Sequence, residues 1–211
     1  MSMQKPTQNQ RRDCAKLIYL SAPHCFKFLT LSDEEKTYDF LEIFLKHGKS
    51  PYNMDNIVVE ECNGVIQGLL LACPLNEVES GSSNLKKYHK ELFKLLGFNK
   101  FIRLCIMDMF DHHKNTINDE YCITAIAVFE QFRGQGIAYK LLKKSEELCK
   151  EKGFKKLSLC VTTKNDRAHQ IYTNFGFVDQ KTMKFSKRRE KKYGMFPFIK
   201  MTKILLSPID S

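Results

Sequence analysis

The stretch from Ala127 to Ala138 reads AVFEQFRGQGIA, and it determines how the rest of the sequence is interpreted. An apolar, strand-like run precedes it and a strongly periodic helical pattern follows it. The first turn of a helix carries unpaired N–H groups and the positive end of the helix dipole. Gly134 and Gly136 remove Cβ atoms that would keep a ligand away from the backbone, and Arg133 adds positive charge. The stretch therefore predicts a cradle for an anion such as phosphate, although a plain tight turn gives the same glycine spacing.

The C-terminal half alternates strand and helix patterns. β-Branched and aromatic runs predict strands, and apolar residues at helical spacing predict helices. These criteria place strands at 120–129, 156–162, 177–185 and 197–206, and helices at 136–152 and 165–175. Helical crossovers join parallel strands and tight turns join antiparallel ones, so the sequence predicts an α/β fold with a mixed sheet.

The N-terminal half contributes helices and a hairpin. Residues 1–10 are frayed or form a short edge strand, and 13–22 form a helix that Pro23 follows. Ser32 and Glu35 have the spacing of a capping box that opens a second helix. Asn63-Gly64 predicts a two-residue turn between strands, because both residues tolerate positive φ. The strands of this hairpin are 56–62 and 65–73, and a loop is expected at 75–83.

Residues 76–118 are the least diagnostic part of a chain that we interpret as one domain, residues 1–211. Helical spacing runs from about 85 to 113 with a break near Gly97. This variable helical segment either walls an acceptor pocket or completes the core.

The net charge of +10 favours an anionic partner, such as nucleic acid, an acidic membrane face or a polyphosphate cofactor. The basic run from Lys187 to Lys192 contains no interleaved aromatic residues that could stack on bases, so it is more typical of a solvated loop. Nucleic acid is therefore not the expected partner, and the role of this run is open.

Several classes of protein do not fit the composition. The longest apolar stretch, Val65 to Cys73, is too short to span a bilayer, and the first residues lack the apolar core of a signal peptide. The eight cysteines are scattered without a CxxC pair, and His112-His113 lacks partner ligands, so no metal site is expected. We expect a cytoplasmic protein that does not act at a membrane.

Two motifs carry a resemblance to a known family. Arg133, Gly136 and Ala138 match the Arg/Gln-x-x-Gly-x-Gly/Ala signature, and the run resembles that of the GNAT acetyltransferase superfamily. Downstream, Asn165, Ala168 and Tyr172, followed by Phe-Gly-Phe at 175–177, are similar to the N-x-x-A-x-x-x-Y-x-x-x-G-F pattern of the same family. The two matches span residues 120–178 in the family's order.

The resemblance implies a fold and a cosubstrate. The fold is a central mixed, mostly antiparallel β-sheet flanked by helices, with a splayed parallel strand pair at the coenzyme A site. The cosubstrate is acetyl-CoA, with the pantetheine arm along the strand before the cradle and the pyrophosphate on the cradle amides. The implied cofactor-binding residues are Ala127, Val128, Arg133, Gly134, Gln135, Gly136, Ile137, Ala138 and Asn165.

The resemblance implies one catalytic residue, and strand alternation indicates a second candidate. Tyr172 matches the tyrosine that protonates the departing thiolate, and the alternative is a core tyrosine. Direct attack needs a neutral amine, and deprotonating a lysine-like amine at neutral pH costs about 4.6 kcal/mol. Strand alternation places Glu120, Cys122, Thr124 and Ile126 on one face. Only Glu120 of these is a ready base, and the alternative is a merely solvated glutamate.

The implied activity is transfer of an acetyl group to a primary amine by direct attack in a ternary complex. The acceptor is open, with a small-molecule amine slightly favoured over a peptide or protein amine. The alternatives are a catalytically weak acyl-CoA-binding protein of the same fold and a basic nucleic-acid-binding module. Similar proteins are often homodimers, but the sequence does not determine the oligomeric state.

Overall fold

The computed structural model describes residues 2–47, 51–80, 88–101, 119–184 and 196–205. The strands are β1 (Ser2–Gln4), β2 (Ile57–Cys62), β3 (Val65–Pro74), β4 (Glu120–Val128), β5 (Lys156–Thr162), β6 (Val178–Met183) and β7 (Phe198–Ile204). The α-helices with assigned bounds are α1 (Arg11–Ser21), α2 (Pro23–Thr30), α3 (Glu34–His47), α4 (Leu75–Ser80), α5 (His89–Leu96), α6 (Ile137–Glu151) and α7 (Asp166–Asn174).

The seven strands form one sheet in the order β1-β2-β3-β4-β5-β7-β6. The pair β4-β5 is parallel and the other pairs are antiparallel. The predicted fold class, a mixed and mostly antiparallel sheet flanked by helices, is confirmed. The parallel pair arises because α6 carries the chain back across the sheet between β4 and β5.

Helices cover both faces of the sheet, and each face has its own apolar cluster. On one face, residues of α1, α3 and α5 pack with β2 and β3 around Leu17, Leu41 and Leu92. On the other face, α6 packs against β3, β4 and β5, and its residues Ile137 and Leu141 belong to the second cluster. These residues follow the helical spacing of amphipathic segments, so the burial of one stripe explains why both elements are helical.

The predicted hairpin is confirmed, with Cys62 paired to Val65 across the turn. Asn63 and Gly64 have φ angles of 51° and 80°, which are the positive values that this two-residue turn requires. The predicted helix break is also confirmed, because Gly97 ends α5 with a φ of 73° and helix resumes at 98–101.

Two local predictions were wrong, and one helix, α2, was missed. Residues 75–80 are helical rather than looped, and Pro23 begins helix α2, where proline is tolerated because the first-turn N–H has no partner. The cap of α3 is Asp33, whose Oδ1 accepts from the N–H of Lys36 at 2.9 Å. Ser32 instead donates its hydroxyl to the carbonyl of Thr30.

Some sequence-based predictions fall outside the described residues. They are the basic run 187–192, the pair His112-His113 and most of the segment 76–118. Among the residues that are described, no helix has the length and apolar character needed to cross a membrane. No group of three or more His, Cys, Asp or Glu side chains in the same set could hold a metal ion.

Candidate active site

The parallel strands β4 and β5 separate part-way along their length. Their pairing runs from Glu120–Lys156 to Ile123–Leu159 and ends there, while β4 continues to Val128. Beyond Ile123, the edge of β4 that faces β5 therefore presents backbone N–H and C=O groups with no register partner on β5. This opening can take an extended ligand that pairs with the backbone of β4.

A β-bulge at Thr124 lies where the strands begin to separate. Leu71 pairs with Ala125 and Ala72 pairs with Ile123, so Thr124 has no register partner on β3. The extra residue reverses the alternation of side chains, and Ile126 consequently packs in the same cluster as Ile123. The prediction that Glu120, Cys122, Thr124 and Ile126 share one face was therefore wrong for Ile126. Strict alternation of side chains along the sequence does not reveal an inserted residue.

The predicted cradle follows β4. The N–H of Phe129 donates to the carbonyl of Gln67 at 2.9 Å, and Arg133 Nε donates to the carbonyl of Val128 at 3.3 Å. Gly134 and Gly136 have φ angles of 80° and 75°, which favour glycine. A 3-10 turn at 130–132 joins these contacts, so the loop is held at both ends.

The N-terminus of α6 is left open to a ligand. Gly136 occupies the cap position without a side chain, and no acidic residue lies in the first turn. By contrast, Asn165 Oδ1 accepts from the N–H of Ala168 at 3.1 Å, and Asp166 lies in the first turn of α7. Of these two helix ends, only the start of α6 combines unpartnered amides with a surplus of positive charge, so it suits an anion.

A cavity of about 590 Å³ joins the opened strand to this helix end. Its walls come from the end of α1, the outer half of β4, the cradle and start of α6, and one face of α7. The predicted residues that line it are Ala127, Val128, Arg133, Gly134, Gly136, Ile137, Ala138, Asn165 and Tyr172. Gln135 and Glu120 are not among the lining residues.

Other lining residues were missed by the sequence analysis. Ile171 on α7 and Phe175, which caps the end of this helix, follow Ala168 at helical spacing, so the face that includes Tyr172 could have been extended to them. Leu20 and Ser21 come from the end of α1, more than 100 positions before the cradle. No local pattern in the sequence indicates that α1 ends at this cavity.

Tyr172, the tyrosine that the sequence analysis proposed as catalytic, lines this cavity. Its ring packs edge-on against Phe177 with 6.1 Å between centroids. Burial raises the pKa of Tyr172 to about 12. The side chain therefore stays protonated at neutral pH and can donate a hydrogen bond.

A family model places this architecture among known proteins. The model of the acetyltransferase (GNAT) family matches residues 33–177, which include the cradle, the separated strands and Tyr172. The chain belongs to the acetyltransferase (GNAT) family. Members of the GNAT family use acetyl-CoA, whose pyrophosphate is an anion of the kind that the start of α6 suits.

Individual relatives agree with the GNAT assignment. The chain is 40% identical over 60 residues to "Putative ribosomal protein bS18-alanine N-acetyltransferase" of Bacillus subtilis, covering 28% of this chain and 40% of that protein. It is 32% identical over 91 residues to "N-alpha-acetyltransferase 30" of Schizosaccharomyces pombe, covering 43% and 59%. The chain thus spans about half the length of these relatives.

A solved structure extends the GNAT likeness to the whole fold. The chain resembles a crystal structure described as an acetyltransferase with a TM-score of 0.69 and 25% sequence identity. The likeness covers 98% of this chain and 100% of the other.

Glu120, the predicted base, lies at the opposite end of β4 from the GNAT cradle. It lies six positions before Ile126, the first cavity residue on β4, which corresponds to about 20 Å along a strand. Its carboxylate pairs with Lys156 Nζ at 2.7 Å and Lys200 Nζ at 2.8 Å. Burial raises its pKa, but the contacts with the positively charged Lys156 and Lys200 outweigh this and lower the pKa overall.

A carboxylate with a lowered pKa is a weak base. The surroundings of Glu120 therefore argue against the predicted role of general base, which stays a prediction. The neighbouring thiol of Cys122 is no better suited. Burial raises its pKa to about 12, which keeps the thiol protonated.

Proposed function

We propose that this chain is an N-acetyltransferase that moves an acetyl group from acetyl-CoA to a primary amine by direct attack in a ternary complex. The observation that carries the proposal is the uncapped start of α6, which opens into the same cavity as the unpaired edge of β4. A ligand with an extended amide-containing arm and a pyrophosphate matches both features.

The donor would bind in two parts. The pantetheine amides would pair with the backbone of β4 at Ala127 and Val128, beyond the point where β5 separates. The pyrophosphate would accept hydrogen bonds from the amides of the segment 133–138, beside the guanidinium of Arg133. Because Asn165 Oδ1 caps α7, only its Nδ2 would remain for a ligand.

The lining of the cavity favours an acceptor that loses its proton readily. Among the described lining residues, none is a carboxylate or a histidine. Deprotonation at pH 7 costs about 1 kcal/mol for an N-terminal α-amine of pKa ~7.7–8.0, against about 4.6 kcal/mol for a lysine of pKa ~10.4. The names of the two curated relatives also point to N-terminal amines. We therefore propose a peptide or protein α-amine, ahead of the small-molecule amine that the sequence slightly favoured.

Tyr172 would assist the departing sulfur. The amine nitrogen forms a bond to the thioester carbonyl carbon, the C–S bond breaks, and the electron pair of that bond moves to sulfur. The amine's proton passes to solvent, and solvent protonates the thiolate. Full transfer of a proton from a phenol of pKa about 12 to a thiolate, whose thiol has a pKa of ~8.5, would cost about 5 kcal/mol of free energy. Tyr172 therefore acts as a hydrogen-bond donor that stabilises the developing charge.

Thiol release with a panel of acceptors tests the proposed activity. The panel contains peptides with free N-termini, the same peptides blocked at the N-terminus with one internal lysine, and a polyamine. Mass spectrometry of the products identifies the acetylated nitrogen. Release above the no-acceptor rate for the free N-termini supports the proposal.

The other outcomes separate the alternatives. Release only with lysine peptides or the polyamine keeps the enzyme and overturns the acceptor class. Binding of acetyl-CoA without release for any amine indicates an acyl-CoA-binding protein. Absence of both binding and release contradicts the proposed function.

A further inference from the structure

Gly68 lies on β3 directly beneath the first turn of α6. A Cβ atom at this position would be 2.9 Å from Cγ2 of Ile137, 3.1 Å from the carbonyl oxygen of Ala127 and 3.2 Å from Cδ1 of Leu141. The first distance is shorter than carbon atoms tolerate, and the second involves a backbone atom that cannot rotate away. Any side chain at residue 68 would therefore push α6, β4 or both outward.

The backbone of Gly68 does not need glycine for its conformation. Its φ is not among the positive values of the described glycines. An alanine could adopt this backbone, so the requirement for glycine comes from the space between β3 and α6. Glycine in a strand often marks such a close approach of another backbone.

The atoms that crowd Gly68 belong to the candidate site. Ile137 is the first residue of α6, and Ala127 lies on the open half of β4. Both residues line the cavity, and Gly68 pairs in register with Val128, which lines it too. Gly68 therefore contacts both β4 and the start of α6.

Two neighbouring contacts tie the same region together. The carbonyl of Gln67 accepts from the N–H of Phe129 at 2.9 Å, which fixes the start of the cradle. Glu60, the register partner of Gly68, is buried and accepts from Lys140 Nζ of α6 at 3.1 Å. The hairpin of β2 and β3 therefore holds the cradle at its start and α6 near its first turn.

We propose that Gly68 is a positioning residue for the donor site. The absence of a side chain lets the start of α6 sit close to β3, and this sets the position of the anion-binding amides relative to the open edge of β4. The inference rests on the proposed function, because it assigns the positioned groups to one donor molecule. It predicts that a methyl group at residue 68 weakens coenzyme A binding although residue 68 does not itself line the cavity.

The test compares Gly68→Ala with Gly64→Ala in the same hairpin. Gly64 has a φ of 80° and no atom within 4 Å of an added Cβ. Its alanine variant is strained but displaces nothing near α6. Titration calorimetry with coenzyme A and thermal unfolding are measured for the wild type and both variants.

Both variants are expected to lower Tm, and only Gly68→Ala should weaken coenzyme A binding, by about fivefold or more. A dissociation constant within about twofold of the wild-type value overturns the inference. Absence of binding by the wild-type protein contradicts the proposed function itself, and the inference with it.

A double-mutant cycle separates the proposed contact with α6 from a general loss of stability in Gly68→Ala. Ile137→Ala removes the Cγ2 atom that the new methyl group would meet. In that background, Gly68→Ala should change coenzyme A affinity by less than half of its fold-effect in the wild type. Equal fold-effects in the two backgrounds contradict the proposed contact.

Discussion

The ring of Tyr172 meets the ring of Phe177 edge-on, with 6.1 Å between their centroids and an interplanar angle of 63°. Phe177 is almost fully buried, and its N–H donates to the carbonyl of Tyr172 at 3.0 Å. These two contacts hold the tyrosine ring independently of its hydroxyl group. The role of the hydroxyl can therefore be separated from the packing of the ring.

Replacing Tyr172 with phenylalanine should lower kcat by about 10- to 100-fold and change the affinity for acetyl-CoA by less than about threefold. The ring still packs on Phe177, while the hydrogen bond to the departing sulfur is lost. Steady-state kinetics and titration calorimetry measure the two quantities. Tyr139→Phe is a matched control, because Tyr139 also lines the cavity but its ring packs on Phe175 and is largely exposed. Equal losses of kcat and affinity in Tyr172→Phe would assign the hydroxyl to binding.

The pH dependence of the reaction should show no loss of activity from Tyr172 between pH 7 and pH 10. The neutral phenol is the active form, and it persists below its raised pKa of about 12. The wild type and Tyr172→Phe should therefore give pH profiles of kcat/KM with the same shape in this range. A descending limb below pH 10 that is present in the wild type and missing in Tyr172→Phe would contradict this assignment.

Glu120→Gln should reduce stability at neutral pH by roughly 1–3 kcal/mol, because the buried carboxylate loses its ion pairs with Lys156 and Lys200. The folded state lowers the pKa of Glu120, so its contribution is present above the unfolded pKa. It is lost as the pH falls through the folded pKa, and the two proteins should converge in stability in acid. Denaturant unfolding at several pH values measures this.

The same variant tests the catalytic prediction for Glu120. Since Glu120 lies outside the cavity, Glu120→Gln should keep kcat within about threefold of the wild type wherever the protein is folded. Glu147→Gln, at an exposed ion pair on α6, is the control for loss of a surface charge. A loss of kcat by 100-fold or more in Glu120→Gln alone would restore it as the base.

Much of the fold was predictable because its signals are local. Asn63-Gly64 determined the hairpin, and the apolar spacing of 136–152 determined α6. The glycine-containing loop before α6 was predictable for the same reason, since two glycines and an arginine between a strand and a helix form one continuous stretch. Helix α2 was missed because Pro23 at its first residue was interpreted only as the end of the preceding helix.

The rest depends on contacts between distant parts of the chain. The bulge at Thr124 appears only in the register of β4 against β3, and it changes which side chains share a face. The space requirement at Gly68 arises from α6, which begins 69 residues later in the chain. Leu20 lines the cavity because the C-terminal end of α1 lies beside it in the folded protein. None of these leaves a pattern in the neighbouring sequence.

The central claim is that the start of α6 binds the pyrophosphate of acetyl-CoA. Gly136→Asp places a negative charge and a side chain at this position, where the φ angle is 75°. Gly153→Asp introduces the same residue at the other end of the helix, where the φ angle is 78° and no atom lies within 4 Å of the added Cβ. The two variants have similar backbone strain, so they differ mainly in the site that the charge meets.

Titration of acetyl-CoA into the wild type and these two variants is the most direct measurement. The wild type and Gly153→Asp should bind with dissociation constants within about threefold of each other, and their Tm should rise with acetyl-CoA concentration. Gly136→Asp should bind at least about 100-fold more weakly, with no such rise, because like charges meet in the cradle. Equal affinity of Gly136→Asp and Gly153→Asp for acetyl-CoA would contradict the claim.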